Sequence, residues 1–293
     1  MFLKVLIGVD GSSCGRDAIA LATRLVSPRG RLTLAHVSST RPGGAQPQES
    51  RAAARRMLSR ERMRADVDAE LLSVSAASAG GGLHVLAEEL DSELLVVGSC
   101  GRAGAGLAML GDDTRAALNG APCPVAIAAA GYARKAGPLQ RVGVAYNRSR
   151  ESEAALSMAR EIAAARGAGV SAMEVVPVMG EDAAAFIPLS GDEPVDVMLR
   201  EAGEHMDRLP GVDGHVAYGL VGEELAAFGC EVDILLVGSR GYGPIRRVML
   251  GNTSDYLERR GCCSLLVLTR APAVKPSRDH DADRRVMAGV VRR

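Results

Sequence analysis

The chain has 293 residues, 47% of them apolar, which leaves room for two ordinary globular domains. Its 35 basic and 35 acidic residues balance, and it holds no Trp, 5 Tyr and 3 Phe, which argues against a nucleic-acid or anionic-membrane partner. No apolar run reaches bilayer length, no cleavable leader is legible, and six cysteines without a CxxC pair argue against a zinc site or disulfide scaffold. The expectation is a cytoplasmic protein with small thiols in a reducing compartment.

Val5–Val9 is short, apolar and β-branched, and predicts a buried first strand. Ser12 or Ser13 can cap a helix running to about Val26, which Pro28-Arg29-Gly30 stops. Arg31–Ser38 predicts the second strand, and the Pro/Gly/Gln-rich Arg41–Gln48 a loop. Glu49–Glu70 reads as a long, charged, alanine-rich helix, Leu71–Ala76 as a weak third strand and Leu83–Ser92 as a helix. Glu93–Ser99 carries the fourth strand, Asp112–Asn119 opens a helix, and Pro124–Ala129 holds the fifth strand. The second half repeats this order, with strands near 141–145, 169–176, 214–218, 234–238 and 264–269 and its own loop at Val178–Pro194.

That order is an internal repeat. At an offset of 140 residues, Leu95/Leu235, Val97/Val237, Gly98/Gly238, Ser99/Ser239, Gly101/Gly241, Gly111/Gly251 and Cys123/Cys263 coincide. Upstream, Val5–Ala22 matches Gln140–Ala159 with Asp10 over Asn147. Strands alternating with helices imply a parallel sheet covered on both faces. The expected fold is therefore α/β: two doubly wound, five-stranded parallel-sheet domains. They occupy residues 1–134 and 138–272, with the boundary near Tyr132–Pro138. Residues 273–293, with six basic and three acidic side chains, read as a poorly ordered tail.

An acid after strand one (Asp10), Gly98-x-x-Gly101-x(9)-Gly111 after strand four and Ala121-Pro122-Cys123-Pro124-Val125 leading strand five resemble the universal stress protein family. The second copy is Gly238-x-x-Gly241-x(9)-Gly251, and the likeness spans about residues 2–270. It implies strand order 3-2-1-4-5 in each half and ATP bound at the carboxyl ends of strands one and four. It also implies pairing through the fifth strands, either between the two halves or with another chain. In the first half it places the nucleotide on Asp10, Val37, Gly98, Ser99, Gly101, Arg102, Gly111, Asp112, Asp113 and Thr114. In the second it places it on Asn147, Val175, Gly238, Ser239, Gly241, Gly251, Asn252, Thr253 and Ser254. Asp10 is the residue matching a ribose or metal contact, and Val37 and Val175 match backbone groups that read adenine.

The glycines have a physical rationale of their own. Gly98 and Gly238 end strands at a topological switch point, where a side chain would block a ligand. Gly101 and Gly241 permit positive φ, and Gly111 and Gly251 precede helices whose first N–H groups attract phosphate. The plain alternatives are that the glycines only make turns and that Asp10-Gly11 is a turn. The two halves differ at the phosphate end. Asp112 and Asp113 follow Gly111, and a carboxylate 4 Å from a phosphate costs about 4 kcal/mol at an effective dielectric near 20. A helix terminus returns only about 0.3–1 kcal/mol. The aspartates therefore either turn away and cap, or hold Mg²⁺ or Mn²⁺. Half two is neutral and hydroxyl-rich there, but Asn147 replaces the acid and Arg148 the adjacent glycine. This favours half two for phosphate and half one for ribose or metal.

No nucleophile elbow, Ser-His-Asp set or Walker loop is present in the sequence. The expected function is an ATP-binding regulatory protein of the stress response, acting with a protein partner that the sequence does not identify. A scaffold with decayed sites is the alternative, and a slow ATPase the third reading.

Overall fold

The computed structural model describes residues 1–39, 47–99, 112–135, 137–178, 194–238, 253, 256–257 and 262–269. The first half runs β1 (Phe2–Gly8), α1 (Ser13–Leu25), β2 (Val26–Ser39), α2 (Pro47–Ala65), β3 (Ala69–Ala76), α3 (Ala79–Glu89), β4 (Leu94–Gly98), α4 (Asp112–Leu118) and β5 (Val125–Ala128). A short α5 (Tyr132–Lys135) occupies the predicted boundary. The second half runs β6 (Arg141–Tyr146), α6 (Arg150–Arg166), β7 (Gly169–Pro177), α7 (Pro194–Asp207), β8 (Asp213–Gly219), α8 (Val221–Gly229), β9 (Ile234–Gly238) and β10 (Ser264–Leu268). Among the described residues no helix is long and apolar enough to cross a membrane.

The ten strands form one sheet in the order β3-β2-β1-β4-β5-β10-β9-β6-β7-β8. Each half is the expected 3-2-1-4-5 with every pair inside it parallel. The fifth strands meet antiparallel, Leu265 opposite Ile127 and Val267 opposite Val125, so the two halves pair with each other within one chain. Two separate sheets would leave β5 and β10 as edges; joining them removes both. Each face of the sheet carries one apolar cluster, and both clusters run through both halves.

Two polar devices lock the junction. Asp17 is buried on the packed face of α1, where its carboxylate accepts the N–H groups of Gly131 and Ala133 at 2.8 and 2.7 Å. It thereby caps α5 from a distance. The 17-residue α6 is longer than the 13-residue α1, and its last residue reaches across the junction. Arg166 donates to the carbonyls of Arg24, Thr23 and Val26 at the end of α1, at 2.8, 3.2 and 2.8 Å. Those carbonyls have no intrahelical donor, so the guanidinium caps one half's helix from the other half.

Several boundaries differ from expectation. The predicted second helix ends at Ala65, because Asp66 turns with φ 50° and Ala69 and Glu70 are drawn into β3 against Leu32 and Thr33. Pro47 and Gln48 belong to α2 rather than to the loop, Pro suiting a first helical position. Pro28-Arg29-Gly30 does not separate α1 from β2. It forms an irregularity inside β2, where Phe2 faces Val26 but Lys4 faces Arg31. Helix α3 starts at Ala79, before three glycines, with the Ser78 hydroxyl capping Gly81 at 3.1 Å. Glycine is a poor helix former, but close packing requires it here. A Cβ on Gly80 would lie 2.5 Å from the Ala116 carbonyl carbon, and one on Gly82 2.6 Å from Val37 Cγ1.

The cysteine expectation is also corrected. Cys230 and Cys262 are joined in a disulfide, with Cα atoms 4.9 Å apart. A sequence separation of 32 offers no local signal for that pairing. Cys123 and Cys263 do behave as structural thiols: burial pushes each up to about 12.

Candidate functional site

In each half the strand order reverses between strands one and four, and the carboxyl ends of those strands are where such a sheet offers a ligand crevice. In half one, β1 and β4 pair with Ile7 opposite Val96; continuing that register sets Asp10 level with Ser99. Asp10 is exposed, and its Oδ1 accepts the Ser12 N–H at 2.9 Å. Gly11 follows at φ +79°, and the Ser12 hydroxyl caps α1 through the N–H groups of Cys14 and Gly15. The turn reading of Asp10 is therefore correct, and the rest of the carboxylate is left facing solvent. Ser99 is buried, its N–H donates to the Ala128 carbonyl at 2.9 Å, and its hydroxyl has no partner among the described residues.

The reason assigned to Gly98 is corrected. A Cβ there would lie 2.1 Å from the carbonyl oxygen of Cys14, in the first turn of α1. Gly238 meets the equivalent residue of α6, Glu151, at 2.7 Å. Both glycines admit a helix backbone, and neither needs a ligand to explain it.

Val37 turns its side chain into the α3 side of the core, where it meets Gly82. Its backbone is what reaches the crevice. The Ala35 carbonyl accepts the Val9 N–H at 2.8 Å, so Ala35 faces β1. Strand alternation then aims the N–H and C=O of Val37 to the same side, beyond the end of β1 at Gly8. Val175 stands in the same position past β6, two residues after Met173, which pairs with Ala145.

Half two repeats the turn with different chemistry. Asn147 is exposed and its Oδ1 accepts the N–H and hydroxyl of Ser149 at 3.2 and 2.6 Å. Arg148 takes the place of Gly11 at φ +61°. Its guanidinium pairs with Glu174 of β7 at 2.9 Å. Beneath the turn, the Tyr146 hydroxyl donates to Glu153 and meets His205 Nε2 at 3.2 Å, with the two rings stacked. Burial first, and the bond to Glu153 second, push Tyr146 up to about 12. In half one the corresponding place holds Arg16, which donates to the Gly11 carbonyl at 3.1 Å and pairs with buried Glu61 at 3.3 Å.

The model of one family, described as the universal stress protein family, matches residues 1–129 and 138–269. The chain belongs to the universal stress protein family. A universal stress protein from Archaeoglobus fulgidus superposes over 91% of this chain and 98% of its own, with TM-score 0.64 and 18% identity. A protein of unknown function from Pseudomonas aeruginosa PAO1 does so over 91% and 92%, with TM-score 0.64 and 16% identity. At those identities the likeness is one of fold. No curated protein matches the sequence.

In this universal stress protein the described part of each crevice brings together the carboxyl ends of strands one, two and four. It contains Asp10, Val37, Gly98 and Ser99 in one half and Asn147, Val175 and Gly238 in the other. Thr253 is helical and half-buried. Asp112, Asp113 and Thr114 begin α4 as predicted, but their side chains lie outside the described residues. Gly101, Arg102, Gly111, Ser239, Gly241, Gly251, Asn252 and Ser254 also lie outside them. Among the described residues no three His, Cys, Asp or Glu side chains converge as a metal site.

Sequence reasoning missed Arg16, Glu61, Tyr146, Glu153, Glu174 and His205 around the two turns. The only signal available was their position on helices or, for Tyr146 and Glu174, on strands, which gives no pairing.

Proposed function

We propose that this universal stress protein binds ATP and acts as a regulatory protein in the stress response, half one being the principal nucleotide site. The observation that carries the reading is the Asp10–Ser99 crevice. It combines an exposed carboxylate at the end of β1 with a buried hydroxyl at the end of β4 that has no partner among the described residues. A buried hydroxyl without a partner costs about 1–3 kcal/mol, which a ligand acceptor would offset. The residues present fit an adenine nucleotide in three places. Asp10 can accept from ribose hydroxyls or share a divalent cation with phosphate oxygens. The Ser99 hydroxyl can donate, and the Val37 backbone offers one donor and one acceptor to a purine edge. The Gly101–Gly111 stretch would supply the phosphate contacts. Bound nucleotide would alter the surface that this half presents to a protein partner. With no positioned base in the sequence, turnover would be slow at most.

In half two the Arg148–Glu174 pair favours the scaffold reading. It spans the ends of β6 and β7, beside the Val175 backbone that would read the base. Half two then contributes the β5–β10 interface more than a second ligand.

The test is thermal unfolding of the full chain with MgATP, MgGTP and no nucleotide, for the wild type and Asp10→Ala. At a concentration 100 times Kd, binding adds about 2.7 kcal/mol. A rise in Tm with ATP that shrinks in Asp10→Ala is expected. No rise with any adenine nucleotide would sink the reading.

A further inference from the structure

One edge of the sheet is β3. Its register against β2 runs unbroken from Leu32 opposite Ala69 to Ser39 opposite Ala76. Edge strands are ordinarily blunted by lysine, proline or a bulge, and Ala69–Ala76 has none of these. The Val9 N–H donates to the Ala35 carbonyl, so Ala35 faces β1, and Leu34 and His36, one residue either side, face β3. The even-numbered residues of β3 then bond to β2, and the N–H and C=O groups of Leu71, Ser73 and Ser75 point off the edge. Those groups have no partner among the described residues. The first outward carbonyl, that of Ala69, accepts from the Arg62 guanidinium at 3.5 Å, which closes the amino end of the edge.

Beside the open part of this edge lies a groove of about 320 Å³ between β3 and α3. Val74, Ala76, Ser78, Gly82, Val85 and Glu89 line it. Leu72 and Val74 are only partly buried, and Val85 is 53% exposed. A further strand laid along β3 would cover this apolar surface with every second side chain. Charge decides what kind of strand fits. No Lys or Arg stands in the sequence between Arg64 and Arg102. Strand alternation puts Glu70 on the α3 face with Leu72 and Val74. Helix α3 returns antiparallel to β3 to start β4, so Glu89, at its last turn, lies toward the same end of the groove as Glu70. Both carboxylates are exposed, and neither pairs with a described cation.

We infer that the β3 edge and this groove form a docking site for an extended peptide segment of a protein partner, one that presents a basic residue and two aliphatic residues on a single strand face. The outward backbone groups of Leu71, Ser73 and Ser75 supply the affinity by extending the ladder. The aliphatic side chains lie over Leu72, Val74 and Val85, and the basic one reaches Glu70 and Glu89, which fixes the register. Side chains on one face recur every second residue, so the segment reads basic-x-aliphatic-x-aliphatic if parallel to β3 and the reverse if antiparallel. The inference goes beyond nucleotide binding and does not rest on it.

The experiment uses the nucleotide-free full chain, so its failure leaves the nucleotide reading untouched. Two blocked, fluorescently labelled heptapeptides, Ser-Lys-Thr-Val-Thr-Val-Ser and Ser-Val-Thr-Val-Thr-Lys-Ser, are titrated by anisotropy, with hydrogen exchange followed at saturation. Binding of at least one is expected, with roughly tenfold slower exchange over Leu71–Ser75 and no change over Asp213–Gly219 of β8, the other edge. Replacing its Lys by Glu, or Glu89 of the protein by Lys, should weaken binding roughly tenfold. Ser75→Pro should abolish it. That change deletes an outward donor without removing a bond to β2, and an unchanged midpoint of thermal unfolding shows that the variant folds. Four results would overturn the inference: no binding of either peptide, equal binding of the Glu versions, protection at β8 instead of β3, or sedimentation showing that Ser75→Pro turns a dimer of this chain into a monomer, which would give the edge to a second copy.

Discussion

The two halves build the same turn from opposite charges. After β1, Asp10 folds back on Ser12, Gly11 takes positive φ, and Arg16 ties the turn to Glu61 of α2. After β6, Asn147 folds back on Ser149, Arg148 takes positive φ, and the Tyr146 hydroxyl joins Glu153 of α6 to His205 of α7. Arg16 and Glu153 hold equivalent helix positions with reversed sign. Glu61 and His205 each lie three residues beyond a fully buried residue, Leu58 and Ala202. The backbone geometry is thus shared, while the side chains that brace it have been replaced as sets. That arrangement is expected where close packing fixes the strand–turn–helix unit and the polar shell only has to be internally satisfied.

The shared backbone is where substitution should cost most. In Gly98→Ala the new methyl meets a carbonyl oxygen of α1 at 2.1 Å, and that helix cannot move without dragging β4 and β5 packing with it. A loss of about 3 kcal/mol or more is expected from the midpoint and slope of denaturant unfolding. Gly238→Ala meets Glu151 Cβ at 2.7 Å and backbone at 2.9 Å, and should cost less, about 1–2 kcal/mol. Equal costs, or no cost at Gly98, would show that helix packing is not what selects these glycines.

Next come the features that only one half has. Asp17 caps the linker helix, and Ala154 stands in its place in half two. Asp17→Asn turns one acceptor into a donor facing a backbone N–H, so about 2 kcal/mol should be lost. Arg166→Ala uncaps three carbonyls and should cost about 1–2 kcal/mol. Hydrogen exchange at residues 129–135 should rise in the first variant, and at the end of α1 in the second. A uniform rise across the chain in both would contradict local capping.

The repeat, the alternation of strands with helices and the helix cover were legible in the sequence because each rests on local periodicity or on two copies in register, whereas the strand order came from the family resemblance alone. Asp17 was half legible, as a charge on the apolar face of α1. Its partners 114 and 116 residues away were not. The first turn of α3, from Ala79, was hidden because three glycines argue against a helix unless the neighbouring Val37 and Ala116 are known to press on it. Likewise, Gly98 looked like a ligand position because the sequence shows the glycine and not the α1 backbone above it. Of the candidate site, Asp10 and Val37 lie where their strands were expected to put them, just past the end of β1 and on β2. The buried Ser99 hydroxyl and the Arg148–Glu174 pair needed the folded sheet to be seen.

The braces beneath the turns should have smaller effects and one pH signature. Tyr146→Phe removes the hydroxyl shared by Glu153 and His205 and should cost about 1 kcal/mol near neutrality. Because the folded Tyr146 sits near 12 and the unfolded one near 10, the native state holds the proton more tightly. Its contribution is complete below about pH 10 and is lost as pH rises toward 12. Wild-type stability should therefore fall more steeply than that of Tyr146→Phe across this window in alkaline unfolding scans. Parallel curves would mean that the hydroxyl is not held as described.

The smallest expected stability change is at Arg148, and it separates backbone from charge. A non-glycine residue at φ +61° costs about 1 kcal/mol, which Arg148→Gly recovers. The same change removes the partly exposed Arg148–Glu174 pair, worth about 0–1 kcal/mol. The two nearly cancel, so unfolding should shift by less than about 0.5 kcal/mol. Restoring the glycine of half one while clearing the guanidinium from the Val175 edge should, however, make the second crevice resemble the first. Under the nucleotide reading, calorimetric titration of the full chain with MgATP should then move from one site toward two. If Arg148→Gly is neutral for folding and the stoichiometry stays at one, the pair is not what distinguishes the halves. The missing acid at Asn147 is then the remaining difference in that turn, and Arg148→Gly combined with Asn147→Asp isolates it.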